Sequence, residues 1–216
     1  MIQRLGAIGP LAWRAAIALL SAEVAGAAAI RYFTPLDPAP DVILTNGFAG
    51  PVLLAHVVAG AVALLLGPLQ FVSRARSRWP AAHRLSGRMF VAACLMTGPS
   101  GLLLAVGTSA GPIAAVGFAI PGLLLPPFVV LGWRAAVERR FVSHRAWMLR
   151  AWALIAAAIT LRLMLPASGW LGYDFLAAYP IISWASWATN LALAEWWLRR
   201  GRGAARQIAQ PAVVLV

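Results

Sequence analysis

Cysteine is almost missing from this chain: Cys94 stands alone, which excludes an intrachain disulfide and a cysteine zinc cluster. Acidic residues number six and histidines three in 216 residues, so paired-carboxylate catalysis has almost nothing to work with. No phosphate-binding loop, dinucleotide glycine fingerprint or zinc-protease helix can be read. Charge itself is scarce, at 11% of residues against 62% hydrophobic and a mean hydropathy of +0.80. Such a composition does not suit a water-exposed surface and places the chain among integral membrane proteins.

What is abundant is long apolar sequence. Runs near the length needed to cross the hydrocarbon core as helices fall at Leu11–Ile30, Val52–Val72, Met89–Val106, Ile113–Trp133, Trp147–Leu165 and Ile181–Leu198. The links between them are too short to hold a soluble domain. The expectation is therefore one all-α polytopic bundle over residues 1–206 with six transmembrane helices, followed by a short tail at 207–216. The start of helix one, with Arg4, Arg14 and the small-residue stretch Ala25–Ala29, resembles a signal peptide, but Glu23 interrupts it and a retained anchor is expected.

The net charge of +12 comes from eighteen basic residues, all arginine, and sixteen of them fall on one side of the six-span pattern. They precede helix one, join helices two to three and four to five, and follow helix six. Arg31 sits on the opposite side with Asp37, Asp41 and Asp174, and Arg162 lies within a helix. By the positive-inside rule the multi-pass chain is expected in a bacterial cytoplasmic (inner) membrane with both termini cytoplasmic. The arginine rim is expected to meet anionic headgroups, at roughly 1 kcal/mol per arginine. Because these charges cluster at helix ends, no nucleic-acid partner is expected. Oligomeric state is not legible.

Glycine and proline punctuate the spans. Gly60, Gly67, Gly98, Gly101 and Gly117 allow close helix approach. Pro121, Pro126 and Pro127 remove donors from helix four and should kink it, leaving carbonyls for neighbours to satisfy. Of the tryptophans, Trp152, Trp184 and Trp187 lie deepest and are expected to pack, the others to anchor at the interface.

A weak repeat carries the strongest hint of chemistry. Phe71 is followed by an arginine-rich link and then His83-Arg84; Trp133 is followed by a second such link and then His144-Arg145. Hairpin repeats related along the membrane normal would bring His83 and His144 to one depth on facing helices. Two imidazoles offered across a four-helix core suit axial ligation of a b-type haem iron. The plainer reading has both rings bonding carbonyls or lipid phosphates beside their arginines. His56 and Arg162 form a second, intramembrane set at the opposite side, where a cofactor-binding, quinone or proton-transfer role competes with ordinary hydrogen bonding for His56 and headgroup snorkelling for Arg162. An Arg162–Glu23 pair is conceivable, and Glu195 is expected to pair with an arginine of the basic side.

The segments His56-Val-Val-Ala-Gly60, Gly67-Pro-Leu-Gln-Phe71, Trp79-Pro-Ala-Ala-His83-Arg-Leu-Ser-Gly87-Arg88, His144-Arg-Ala-Trp-Met-Leu-Arg150 and Thr160-Leu-Arg162 resemble a bacterial membrane family designated domain of unknown function 2306, over helices two to five. That resemblance implies a membrane fold without an assigned activity. More distantly, the arrangement resembles the cytochrome b-561 architecture, in which helices two to five form the core. This implies that His83 and His144 match the ligand pair of one haem, near the basic side, and His56 half of another. The step of 27 positions from His56 to His83, taken back from His144, reaches Gly117, so the resemblance implies one haem b. The functional expectation is a membrane electron-transfer protein serving a quinone or another redox partner. A non-catalytic module binding lipid or a partner protein, or a small-molecule transporter, is the alternative.

Overall fold

Proline starts three of the long helices, because its missing N–H costs nothing in a first turn and its fixed φ suits a helix. In the computed structural model, which describes residues 11–34 and 45–209, the elements are α1 (Leu11–Phe33), α2 (Pro51–Gln70), α3 (Ser73–Arg78), α4 (Pro80–Val106), α5 (Pro112–Val137), α6 (Phe141–Ile155), α7 (Ala157–Trp170) and α8 (Phe175–Ala209). No strand occurs among the described residues. Arg4, Asp37, Asp41 and the tail beyond Ala209 lie outside them.

Five units are long and apolar enough to cross a bilayer: Ala15–Phe33, Pro51–Gln70, Pro80–Val106, Pro112–Val137 and Phe141–Trp170. The sixth expected crossing falls on α8, whose 35 residues suffice in length. Ser183, Ser186, Thr189 and Asn190 dilute its apolar run, and the count of six is not established. The third crossing starts at Pro80 rather than Met89, so Arg84 and Arg88 ride on the helix instead of in a loop.

Helices α2, α4, α5 and α6 form a four-membered ring in which α2 packs on α4, α4 on α5, α5 on α6 and α6 back on α2. Thus α4 and α6 stand across the ring from one another. Helix α1 packs on α2 and α7, while α8 covers α5, α6 and α7. Leu64, Phe90, Cys94, Leu125, Val129, Met148 and Trp152 fill the ring. Side chains such as Leu54, Leu65, Met96, Leu123 and Leu163 point outward and stay exposed, as a surface solvated by lipid requires.

Glycine sets the closest approaches. A Cβ at Gly67 would collide with the indole of Trp152, and one at Gly98 would lie 2.8 Å from the Pro126 ring. The turns between helices are tight. Helix α7 ends with Gly172 at φ 82°, while Gly172 N–H donates to Gly169 O and Tyr173 N–H to Ser168 O, both at 3.0 Å. Helix α5 ends in the same way, with bonds from Arg139 to Ala136 and from Arg140 to Ala135, but Arg139 occupies the left-handed position at φ 57°, where glycine is the usual residue.

The expected kink of the fourth crossing has a counterpart in hydrogen bonding. Pro121 cannot donate to Gly117 O, and Trp187 Nε1 of α8 supplies that carbonyl at 2.9 Å; Trp184 Nε1 reaches Ile113 O at 3.0 Å. Both indoles are therefore pins as well as packing. The actual interruption lies in the fifth crossing, where the helix breaks at Ala156 between α6 and α7. Asn190 of α8 secures it, donating to Ala153 O at 3.3 Å and accepting from the Thr160 hydroxyl at 3.0 Å.

Candidate functional site: two histidine levels in the bundle

The repeat read from the sequence has a structural basis. His83 and His144 each close the first turn of their helix, donating N–H to Trp79 O at 3.0 Å and to Arg140 O at 2.9 Å. Both are the fourth residue of a helix that starts at the basic end, α4 in one case and α6 in the other. Equal position on helices opposite one another in the ring brings the two rings within electrostatic reach, with Arg76 and Arg84 close to His83 as well. Both histidines are half-buried.

His144 Nδ1 lies 2.9 Å from Gly132 O on α5. A carbonyl only accepts, so Nδ1 carries a proton and Nε2 is the ring nitrogen left for another partner. Fixing one ring nitrogen on a carbonyl is how proteins orient an imidazole for a metal, and it equally ties α6 to α5. Gly132 lets the two helices meet, since a Cβ there would lie 2.6 Å from the Met148 sulfur. In type, two imidazoles beside a cluster of arginines are donors of the kind an anionic bis-histidine haem takes. Among the described residues no group of three or more His, Cys, Asp or Glu could hold a bare metal ion. An apolar groove of about 410 Å³ between α2 and α4, lined by Ala55, Ala59, Val62, Met89 and Met96, holds neither histidine.

Arg150 forms a forked pair with Glu195 of α8, through Nε to one carboxylate oxygen and through Nη2 to the other at 3.1 Å. The partner expected for Glu195 is therefore Arg150. The same guanidinium covers the Trp147 ring at 4.7 Å, Arg78 covers Trp79 at 5.8 Å and Arg200 covers Trp196 at 3.9 Å. Gln70 at the end of α2 donates to Ser86 of α4 at 2.9 Å.

The far level is built differently. His56 Nδ1 donates to Thr97 O at 3.1 Å and lies 3.3 Å from Ser100 Oγ, while Gly101 leaves room for the ring, which a Cβ there would meet at 2.9 Å. Arg162 on α7 is within electrostatic reach of His56 and of Tyr32, Arg31, Glu23 and Tyr179. No direct Arg162–Glu23 ion pair is present among the described residues. Arg162 Nη1 donates to Ala158 O at 3.1 Å, one turn closer to the basic end, so the guanidinium points back along α7 toward that end. Helix geometry explains this, because side chains tilt toward a helix N-terminus and α7 begins at the deep break. A cation held there with no carboxylate in contact costs several kcal/mol.

The sequence named His83, His144, His56 and Arg162, and the structure gathers them into these two levels. Reading the sequence missed Asn190, Gln70 and the Tyr32–Tyr179 surround of Arg162; the only signal was polar residues inside apolar runs.

A family model described as predicted membrane protein (DUF2306) matches residues 53–198, which contain both histidine levels. No curated protein and no solved structure matches the chain.

Proposed function

The chain belongs to the DUF2306 family of predicted membrane proteins, and within that frame we propose that it is a b-type haem electron carrier with His83 and His144 as axial ligands. The observation carrying this reading is the matched placement of the two rings, each closing the first turn of its helix across the ring of four, with His144 Nδ1 already engaged by Gly132 O. A bound haem supplies one-electron redox chemistry without proton transfer. The chain's own residues hold and orient: Gly132 O engages His144 Nδ1 and leaves Nε2 for another partner, and Arg76 and Arg84 beside His83 supply positive charge that suits the carboxylates of such a group.

The basic rim supports placing this end at the cytoplasmic face of a bacterial inner membrane, with a quinone or membrane protein as redox partner. A non-catalytic lipid- or partner-binding module is the second reading, favoured by the Arg–Trp pairs at the same edge. Spectra separate the two. Protein purified in detergent from haem-replete cells shows a Soret band that shifts on dithionite reduction; His83→Ala and His144→Ala each abolish it, and His56→Ala keeps it. A colourless, folded preparation refutes the haem reading and leaves the module.

A further inference from the structure

Arg162 is the charged group that the proposed haem level leaves unused. It lies eight positions before the end of α7 at Trp170, about 12 Å inside that end at 1.5 Å per residue. Its side chain runs deeper still, to Ala158 O. Only that backbone acceptor, on its own helix, takes a described hydrogen bond from it, which leaves most of a five-donor planar fork to offer. The residue is exposed on the bundle surface, and its neighbour Leu163 is 54% exposed toward the bilayer. The guanidinium is thus reachable from lipid at a depth where water is scarce.

Tyr32 and Tyr179 lie within electrostatic reach of Arg162. Tyr179 stacks on Phe175 at 4.9 Å and tilts against Phe118 at 5.4 Å, forming an aromatic wall on α8 and α5. Tyr32 belongs to α1, and α7 packs on both α1 and α8. Phenol hydroxyls and a guanidinium are donors to one class of partner, an oxyanion, and the fork geometry of arginine matches carboxylate and phosphate oxygens in pairs.

We propose that the far half of the bundle is a binding site in which Arg162, with Tyr32 and Tyr179, grips the oxyanion head of an amphiphile that enters sideways from the bilayer. The head is a carboxylate or a phosphate; the apolar tail stays in lipid beside Leu163. This site lies at the opposite level from His83 and His144 and does not depend on the haem reading.

The test uses the full chain in a neutral detergent and follows thermal unfolding with added oleate, its neutral methyl ester, phosphatidylglycerol or the phosphate-free diacylglycerol. Oleate or phosphatidylglycerol raises Tm by several degrees, and the counterpart without the oxyanion does not. A response to oleate alone identifies a carboxylate ligand, and one to phosphatidylglycerol alone a lipid phosphate. Arg162→Gln weakens the effective probe at least tenfold. Should that variant fail to fold, Arg162→Lys takes its place and binds at least threefold more weakly, because a point charge replaces the fork. Equal shifts from charged and neutral probes, no shift at all, or unchanged affinity in the substituted protein overturn the proposal.

Discussion

At the basic end Arg150 is clamped by Glu195 and covered by Trp147, whereas at the far level Arg162 reaches only the carbonyl of Ala158. Both are arginines on the same crossing, twelve positions apart on either side of the break at Ala156. The first is a satisfied structural group and the second an unsatisfied one. A low-dielectric setting makes that distinction costly, so one guanidinium reads as scaffold and the other as a site.

Breaking the clamp gives the largest expected effect. Glu195→Ala strands a partly buried cation, with Arg150 and Glu195 side chains 16% and 28% exposed, and should cost about 3 kcal/mol. Chemical unfolding in mixed micelles measures it, and the Arg150→Ala/Glu195→Ala double variant should recover more than half of the loss. Equal losses in single and double variants would show that the pair is ornamental.

Packing differs between the levels as well. Gly67→Ala drives a methyl into the Trp152 indole in the middle of the ring, and about 2 kcal/mol of destabilisation is expected. Gly101→Ala meets only the edge of His56, a ring that can swing, and about 1 kcal/mol is expected. Similar losses at both glycines would mean that His56 is as tightly held as the core. The smallest effect concerns the turn that feeds α6: Arg139→Gly relieves a left-handed non-glycine residue and should add about 0.5–1 kcal/mol. No gain in unfolding free energy would show that the arginine side chain compensates for the backbone.

Much of this was legible in the sequence because it depends on local pattern. Apolar length pointed to six crossings, five of which are long and apolar enough in the structure, the arginine bias marked one end, and the spacing of His83 and His144 from their arginine-rich links anticipated their shared position. The proline argument for the fourth crossing anticipated orphaned carbonyls, though not that Trp187 would meet one. The break at Ala156 had no local cause to read, as no proline or glycine stands there; Asn190, thirty-four positions away on another helix, holds it. Hydropathy also hid the first turns of α4, since Arg84 and Arg88 lower the average while Pro80 still starts the helix. The depth of the Arg162 guanidinium follows from the direction of α7, which becomes decisive only once the break at Ala156 is known.

Haem content per chain is the most direct test of the central claim, that His83 and His144 form one axial pair. Pyridine haemochrome assay of full-length protein purified from haem-replete cells should give about one haem b per polypeptide, falling to none in His83→Ala or His144→Ala. A folded wild-type protein with no haem, or one whose haem survives both substitutions, would contradict it.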